Sequence, residues 1–373
     1  MNIRFMQGNE AIAEAALASG LGFFSAYPIT PSSEITEILS RKMPENGRVF
    51  IQAEDELASL GSVLGASIGG LKAMTATSGP GFSLMQEHIG YAGATETPCV
   101  VVNVMRVGPA SGLATFPSQG DVMQSRWGCH GDHPIVVLCP STVSECYELT
   151  IRAFNISEKL RVPVIILSDS VVAHVRERID LDEFADLEIF ERKMTDLDPD
   201  QYLPFQTDDS LVPDFAPRGE GYRYHICSNI HDETGFPTDS DLENAANLTR
   251  RLSAKLDLYQ DEITFVDTNI NANKIHTLVV SYGSVTRSVK DALLTLDDPG
   301  IGHLHLKTLW PFPSSVVARH ASLADQILVP ELNLGQLVKE VREVTHKQVT
   351  SQTMVGGDTL APHDIIQQIK EMR

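Results

Sequence analysis

Near-continuous apolar runs, PCVVVNVMR (98–106), HPIVVLCP (133–140), VPVIILSDS (162–170), HTLVVSYGS (276–284) and QILVPEL (326–332), recur along this chain. A strand that faces water on one side alternates apolar and polar residues. These do not alternate, so each must be covered on both faces. Helix-spaced segments lie between them, which together predict parallel sheets sandwiched by helices, an α/β fold. Each run is far below the ~20 apolar residues that cross a bilayer.

The first half alternates cleanly. NEAIAEAALASG (9–20) has helical spacing and ends at Gly20, a C-terminal capping residue. A strand LGFFSAY, a helix SSEITEILSRKM, a strand RVFIQAE, a helix over about 55–70 and a strand KAMTATS follow. GPG then opens a helix over 82–94, and the long helix TVSECYELTIRAFNISEKL precedes the 162–170 strand. From about 179 to 217 acidic residues and prolines dominate without a period, predicting an irregular connection. A polar helix (240–262) leads into a second α/β pattern, in which HLHLKTL (303–309) reads as one strand. The expected organisation is an α/β domain over 1–190, an acidic connection and helix over 191–262, and a smaller doubly wound domain over 263–373. A length of 373 residues suits two or three domains.

The formal net charge of -20 argues against general affinity for nucleic acid or anionic lipid, so neither is an expected partner. MNIRFMQGNE lacks the apolar core of a signal peptide. The five cysteines form no C-x-x-C pair, which predicts free thiols, a cytoplasmic location and no iron–sulfur cluster on this chain.

Ligands of open α/β sheets bind beyond the carboxyl ends of strands. YPITPSSE, EDE, TSGPG and RVGPASGLATFPSQGD all occupy such places. TSGPG (77–81) could offer backbone N–H groups of Gly79 and Gly81 to an anion, or simply be a tight strand-to-helix turn; it is neither a P-loop nor a G-x-G-x-x-G fingerprint. Gly61, Gly65 and Gly69 recur every fourth residue, at a cost of about 1 kcal/mol each relative to alanine. Either a neighbouring helix, a subunit or a cofactor approaches that face. Glu54, Asp55 and Glu56 suit the positive end of a helix dipole, but one desolvated carboxyl there could also hold a proton. Arg106, at a strand end, could grip a carboxylate or form a surface ion pair. RWGCHGDH (126–133) and HICSNIHDE (225–233) contain zinc-binding residue types. Neither has a standard spacing and each needs a ligand from elsewhere, so no metal is assigned.

In order, QGNEAIAEAAL, YPITPSSE, QAEDELASLGSVLGAS, TATSGPGFSLMQE, IGYAGATETPCVVV, QGD and PELNLGQLVKEVR make the chain resemble the alpha subunit of 2-oxoacid:ferredoxin oxidoreductases, most of all the 2-oxoglutarate-specific type (2-oxoglutarate synthase). The resemblance covers nearly the whole chain and is weakest in the acidic connection. It implies a thiamine diphosphate-binding-like domain of the pyrimidine type, then a transketolase C-terminal-like domain. It also implies oxidative decarboxylation of 2-oxoglutarate to succinyl-CoA, or the reverse carboxylation, with electrons exchanged with ferredoxin. The family's glutamate on the aminopyrimidine N1′ maps to Glu56, where a carboxyl favours the imino tautomer that deprotonates the thiazolium. Thr30 and Arg106 map to residues beside the 2-oxoacid carboxylate. Gly79 and Gly81 fall in the cofactor-facing turn.

A G-D-G…N stretch for magnesium and diphosphate is absent from the sequence, as is a cysteine cluster. The resemblance assigns both to a beta subunit, so magnesium and iron–sulfur clusters are expected on partners and the chain is expected to be inactive alone. A separate gamma subunit and a ferredoxin-like delta subunit are further expected partners, with ferredoxin, coenzyme A and the 2-oxoacid as ligands of the complex. A branched-chain 2-oxoacid or pyruvate enzyme, a transketolase-like carbon transferase and a non-catalytic scaffold subunit are the alternatives.

Overall fold

A computed structural model describes residues 2–270 and 272–373. The chain opens with β1 (Ile3–Gln7), α1 (Gly8–Ala18), β2 (Phe23–Ala26), α2 (Ser33–Glu45) and β3 (Val49–Gln52). Next come α3 (Glu56–Ile68), β4 (Ala73–Thr77), α4 (Pro80–Leu84), α5 (Gln86–Ala94) and β5 (Cys99–Met105). Then follow α6 (Val122–Trp127), β6 (Val136–Leu138), α7 (Val143–Leu160), β7 (Pro163–Asp169), α8 (Ser170–His174) and β8 (Arg176–Asp180). Past the irregular connection lie α9 (Leu242–Leu258), α10 (Gln260–Ile263), β9 (Val266–Asn269), β10 (Ile275–Ser281) and α11 (Val285–Leu296). The remainder is β11 (Ile301–Leu306), β12 (Thr308–Trp310), α12 (Ser314–Ala321), β13 (Ala324–Glu331), α13 (Leu337–Glu343), β14 (Gln348–Thr353) and α14 (Pro362–Glu371).

The apolar runs do become buried parallel strands. A seven-stranded sheet has the order β12-β6-β7-β5-β4-β2-β3, parallel except for β12. A five-stranded sheet, β14-β13-β10-β11-β9, is parallel except for edge strand β9. The first sheet packs α1 and α7 on one face. A continuous apolar core joins its other face to the second sheet, through Val101, Met105, Ile165, Leu304, Trp310 and Val338 among others.

Three features depart from the sequence reading. HLHLKTL, read as one strand, breaks at Lys307. The Lys307 N–H donates to the Phe265 carbonyl (3.0 Å) and its carbonyl accepts from Cys139 (2.7 Å), steering the chain from the second sheet into the first as β12. The helix read over 82–94 divides at Met85 into α4 and α5. An unpredicted antiparallel pair, β1 with β8, lies outside both sheets; Ile3 and Phe5 are exposed on it, which hides its pattern.

The connection is irregular as expected, yet it is tied down by buried arginines. Arg192 forms a two-pronged contact with Glu158 (2.8 and 3.0 Å) and also donates to the Ser67 carbonyl. Arg161 donates to the carbonyls of Pro213 and Asp214. Among the described residues no helix is long and apolar enough to cross a membrane.

Candidate active site

Strands β5, β4, β2 and β3 are consecutive neighbours, so their carboxyl ends present four turns side by side. Asp55 caps α3 by accepting from the Ala58 N–H (2.7 Å), which fixes Glu56 in its first turn. Glu56 is only 6% exposed although it sits at a helix start. Burial raises its carboxyl pKa above the ordinary range; its own backbone N–H offsets part of this, and the charge of Asp55 adds to it.

The turn after β4 is shaped around that carboxyl. A methyl group at Gly81 would overlap Glu56 Oε1 and Thr77 Oγ1, and would lie 2.6 Å from Glu56 Cδ. Gly79 has φ +46°, which disfavours any side chain, and a methyl there would come within 3.3 Å of Arg106 Nε. The two glycines therefore place Glu56 and Arg106 against one turn. Arg106 in turn donates to the backbone carbonyl of Thr30 (2.6 Å), while its buried Nε has no partner. All five residues singled out from the sequence, Thr30, Glu56, Gly79, Gly81 and Arg106, thus meet through direct neighbours. It is the Thr30 carbonyl, not its hydroxyl, that Arg106 engages, and the residue is exposed.

Polar groups are left over here. The buried hydroxyls of Ser25 and Thr77, Asn103 Oδ1 and Arg106 Nε are all without hydrogen-bond partners. Buried polar atoms are ordinarily paired, so a cluster at adjacent strand ends marks a place built for another group.

One residue escaped sequence reasoning. Asp121, half-buried, accepts from Asn103 Nδ2 (2.9 Å); burial raises its pKa, while Asn103 and the charge of Arg106 oppose the rise. Gln119, two residues earlier, ties the loop to the ends of β10 and β13, donating to the Tyr282 carbonyl (3.1 Å) and accepting from the Leu332 N–H (3.1 Å). The signal was the QGD tripeptide itself, whose polar residues follow a glycine- and proline-rich loop.

The small-residue face of α3 is explained only in part. Gly61 lies 3.4 Å (from a notional Cβ) from the His88 ring, whereas Gly65 faces open space. Ser32, at the N-terminal cap of α2, makes no side-chain capping hydrogen bond; its Oγ donates to the Ile29 carbonyl (2.9 Å).

The fold agrees with comparisons to known proteins. Residues 14–251 match the family described as "Pyruvate flavodoxin/ferredoxin oxidoreductase, thiamine diP-bdg". Residues 276–365 match "Pyruvate:ferredoxin oxidoreductase core domain II". The chain is 45% identical to the 2-oxoglutarate synthase subunit KorA of Methanocaldococcus jannaschii, over 98% of both chains. With the KorA subunit of Methanothermobacter thermautotrophicus it shares 42% identity over 99% of this chain and 98% of the other. Among solved structures, it is similar to 2-oxoglutarate:ferredoxin oxidoreductase from Magnetococcus marinus, with 2-oxoglutarate, coenzyme A and succinyl-CoA bound. The TM-score is 0.94 at 34% identity, covering 99% of this chain but 65% of that one.

Proposed function

The chain belongs to the 2-oxoacid:ferredoxin oxidoreductase family, among the alpha subunits of 2-oxoglutarate synthases, and we propose that it supplies the proton-handling and carboxylate-gripping half of a 2-oxoglutarate site. The observation that carries this reading is the Glu56 carboxyl, buried against Gly81 with room for no side chain between them.

Thiamine diphosphate fits that place. Burial raises the pKa of Glu56 and so favours the protonated form that a partner for a ring nitrogen needs. The unpartnered hydroxyls of Ser25 and Thr77 offer further polar contacts. When bound, thiamine diphosphate supplies the nucleophile and electron sink for breaking the bond between the carboxylate and carbonyl carbons of a 2-oxoacid. The chain's own part is to hold a proton at Glu56 Oε and to keep the turn 77–81 pressed on it. Arg106 already organises Thr30 with one guanidinium nitrogen and keeps Nε free, so the same fork can receive a carboxylate. Magnesium, iron–sulfur clusters and the exit of electrons to ferredoxin belong, in this reading, to partner subunits, which makes the chain inactive alone.

The test is viologen reduction by the complex reconstituted with its partners, in the presence of coenzyme A. 2-Oxoglutarate should outperform pyruvate and branched-chain 2-oxoacids. Glu56→Gln should lower kcat by about 10²- to 10⁴-fold, the span of general acid–base catalysis. Turnover near that of the unaltered enzyme would remove Glu56 from the proton path. Activity without coenzyme A or an electron acceptor would instead indicate a carbon transferase.

A further inference from the structure

Two loops with no part in this chemistry converge on one cavity of about 650 Å³. Cys129, His130 and His133 line it from one side and His231 from the other, with Glu87 and Tyr91 of α5 between them. Taken alone, neither loop has enough ligands at a usable spacing. The missing one comes from α5. A sulfur of Cys129, a ring nitrogen of His130 and a carboxylate oxygen of Glu87 all lie within 4.8 Å of one another.

We propose that Glu87, Cys129 and His130 bind one divalent cation of the zinc class, with the fourth coordination position open to the cavity. Zinc favours this mixture of thiolate, imidazole and carboxylate over the oxygen-only sets of magnesium and calcium. Cys129 Sγ and His130 Nδ1 are 3.8 Å apart, near the spacing of about 3.5 Å that two ligands adopt on a tetrahedral ion. The scaffold supports the thiol's position: a methyl group at Gly90 would overlap Cys129 Sγ, so the sulfur rests on the backbone of α5. Glu87 is three residues earlier and projects from the same helix face. Three protein ligands with one open position is the arrangement of sites that exchange ligands rather than of closed structural ones.

A second observation points to a ligand in the same cavity. His231 is 2% exposed, and its Nε2 has no hydrogen-bond partner, although Nδ1 meets the Asn229 carbonyl at 3.0 Å. Burial lowers the pKa of the His231 and His133 rings, which favours the neutral form able to accept a hydrogen bond. A second cluster, Glu145, Asp267 and His305, also satisfies the distance criterion, but Lys307 already bridges its two carboxylates at 3.5 and 3.0 Å. A cation is in place there without a metal.

The full-length chain, stripped with a chelator and dialysed against zinc, should retain one equivalent by elemental analysis. Cobalt(II) used as a probe should give thiolate-to-cobalt charge-transfer absorption. Glu87→Gln and Cys129→Ser should each weaken zinc binding by at least about tenfold, and Cys129→Ser should abolish the cobalt band. Glu87 is exposed, so its variant should fold like the parent, and circular dichroism checks this. Asp267→Asn should leave binding unchanged. The proposal is overturned if the parent binds no zinc, if Glu87→Gln binds as well as the parent, or if Asp267→Asn is the variant that loses it.

Discussion

At the scale of single residues, Glu56 carries opposed demands of chemistry and stability. A carboxyl whose folded pKa is raised contributes stability below its unfolded value and loses that contribution as pH rises through the folded one. Glu56→Gln should therefore melt at a higher temperature than the parent at neutral pH. The advantage should vanish below about pH 4.5, the carboxyl's ordinary value. A variant no more stable at pH 7 would mean that the carboxylate is not penalised by its surroundings. Arg106 makes a different prediction. Lysine cannot hold the Thr30 carbonyl and a substrate carboxylate together, so Arg106→Lys should raise the KM for the 2-oxoacid by about ten- to a hundredfold, the worth of a hydrogen bond to a charged group. Its kcat should change much less. A fall in kcat at constant KM would place Arg106 outside substrate binding. That Thr30, Glu56 and Arg106 gather at one place was legible because motif and strand-end position agreed. The place of Asp121 among them was not, because it rests on a hydrogen bond from Asn103, a strand residue 18 positions away.

At the scale of elements, α9 shows why the polar helix after the connection is held so firmly. Its Lys255 and Arg251 reach the wholly buried Glu96 at 2.7 and 2.6 Å. Burial pushes the Glu96 pKa up, but Lys255, Arg251 and Arg161 overcome this and hold it down at about 2. A depressed carboxyl pKa gives stability that is present above the ordinary value and is lost as pH falls toward the folded one. Acid melting of the parent should therefore begin below about pH 4.5 and deepen toward pH 2. Glu96→Gln leaves the buried Lys255 and the half-buried Arg251 without their anionic partner and should cost about 3–5 kcal/mol at pH 7. Parent and variant should converge near pH 2. Parallel denaturation curves at all pH values would show that Glu96 is not the anchor. None of this was readable from the sequence, where Glu96 lies between two threonines in an ordinary turn. The buried strands were legible because burial on both faces leaves no alternation. β12 was missed because the backbone hydrogen bonds of Lys307 redirect a run that reads as uninterrupted.

At the scale of the whole molecule, the two sheets form one body around the site. Gln119, on the loop after β5, meets Tyr282 and Leu332 at the ends of two strands of the second sheet, and the Trp310 indole donates to the Val122 carbonyl (3.0 Å). That leaves the outer side of the site uncovered. Tyr27, Leu57 and Leu84, on the segments that carry Thr30, Glu56 and Gly81, are all exposed, and Gly65 on α3 faces open space. Apolar side chains around a desolvated carboxyl are a poor surface for water but a good one for a second chain. A partner that completes the site should therefore seat here. Hydrogen exchange before and after mixing with the beta subunit should slow over residues 57–65 and 79–85, and activity should appear only in the mixture. Protection confined to other segments, with activity restored, would mean that the site is completed from a different direction. Full activity of this chain by itself would mean that it needs no completion at all.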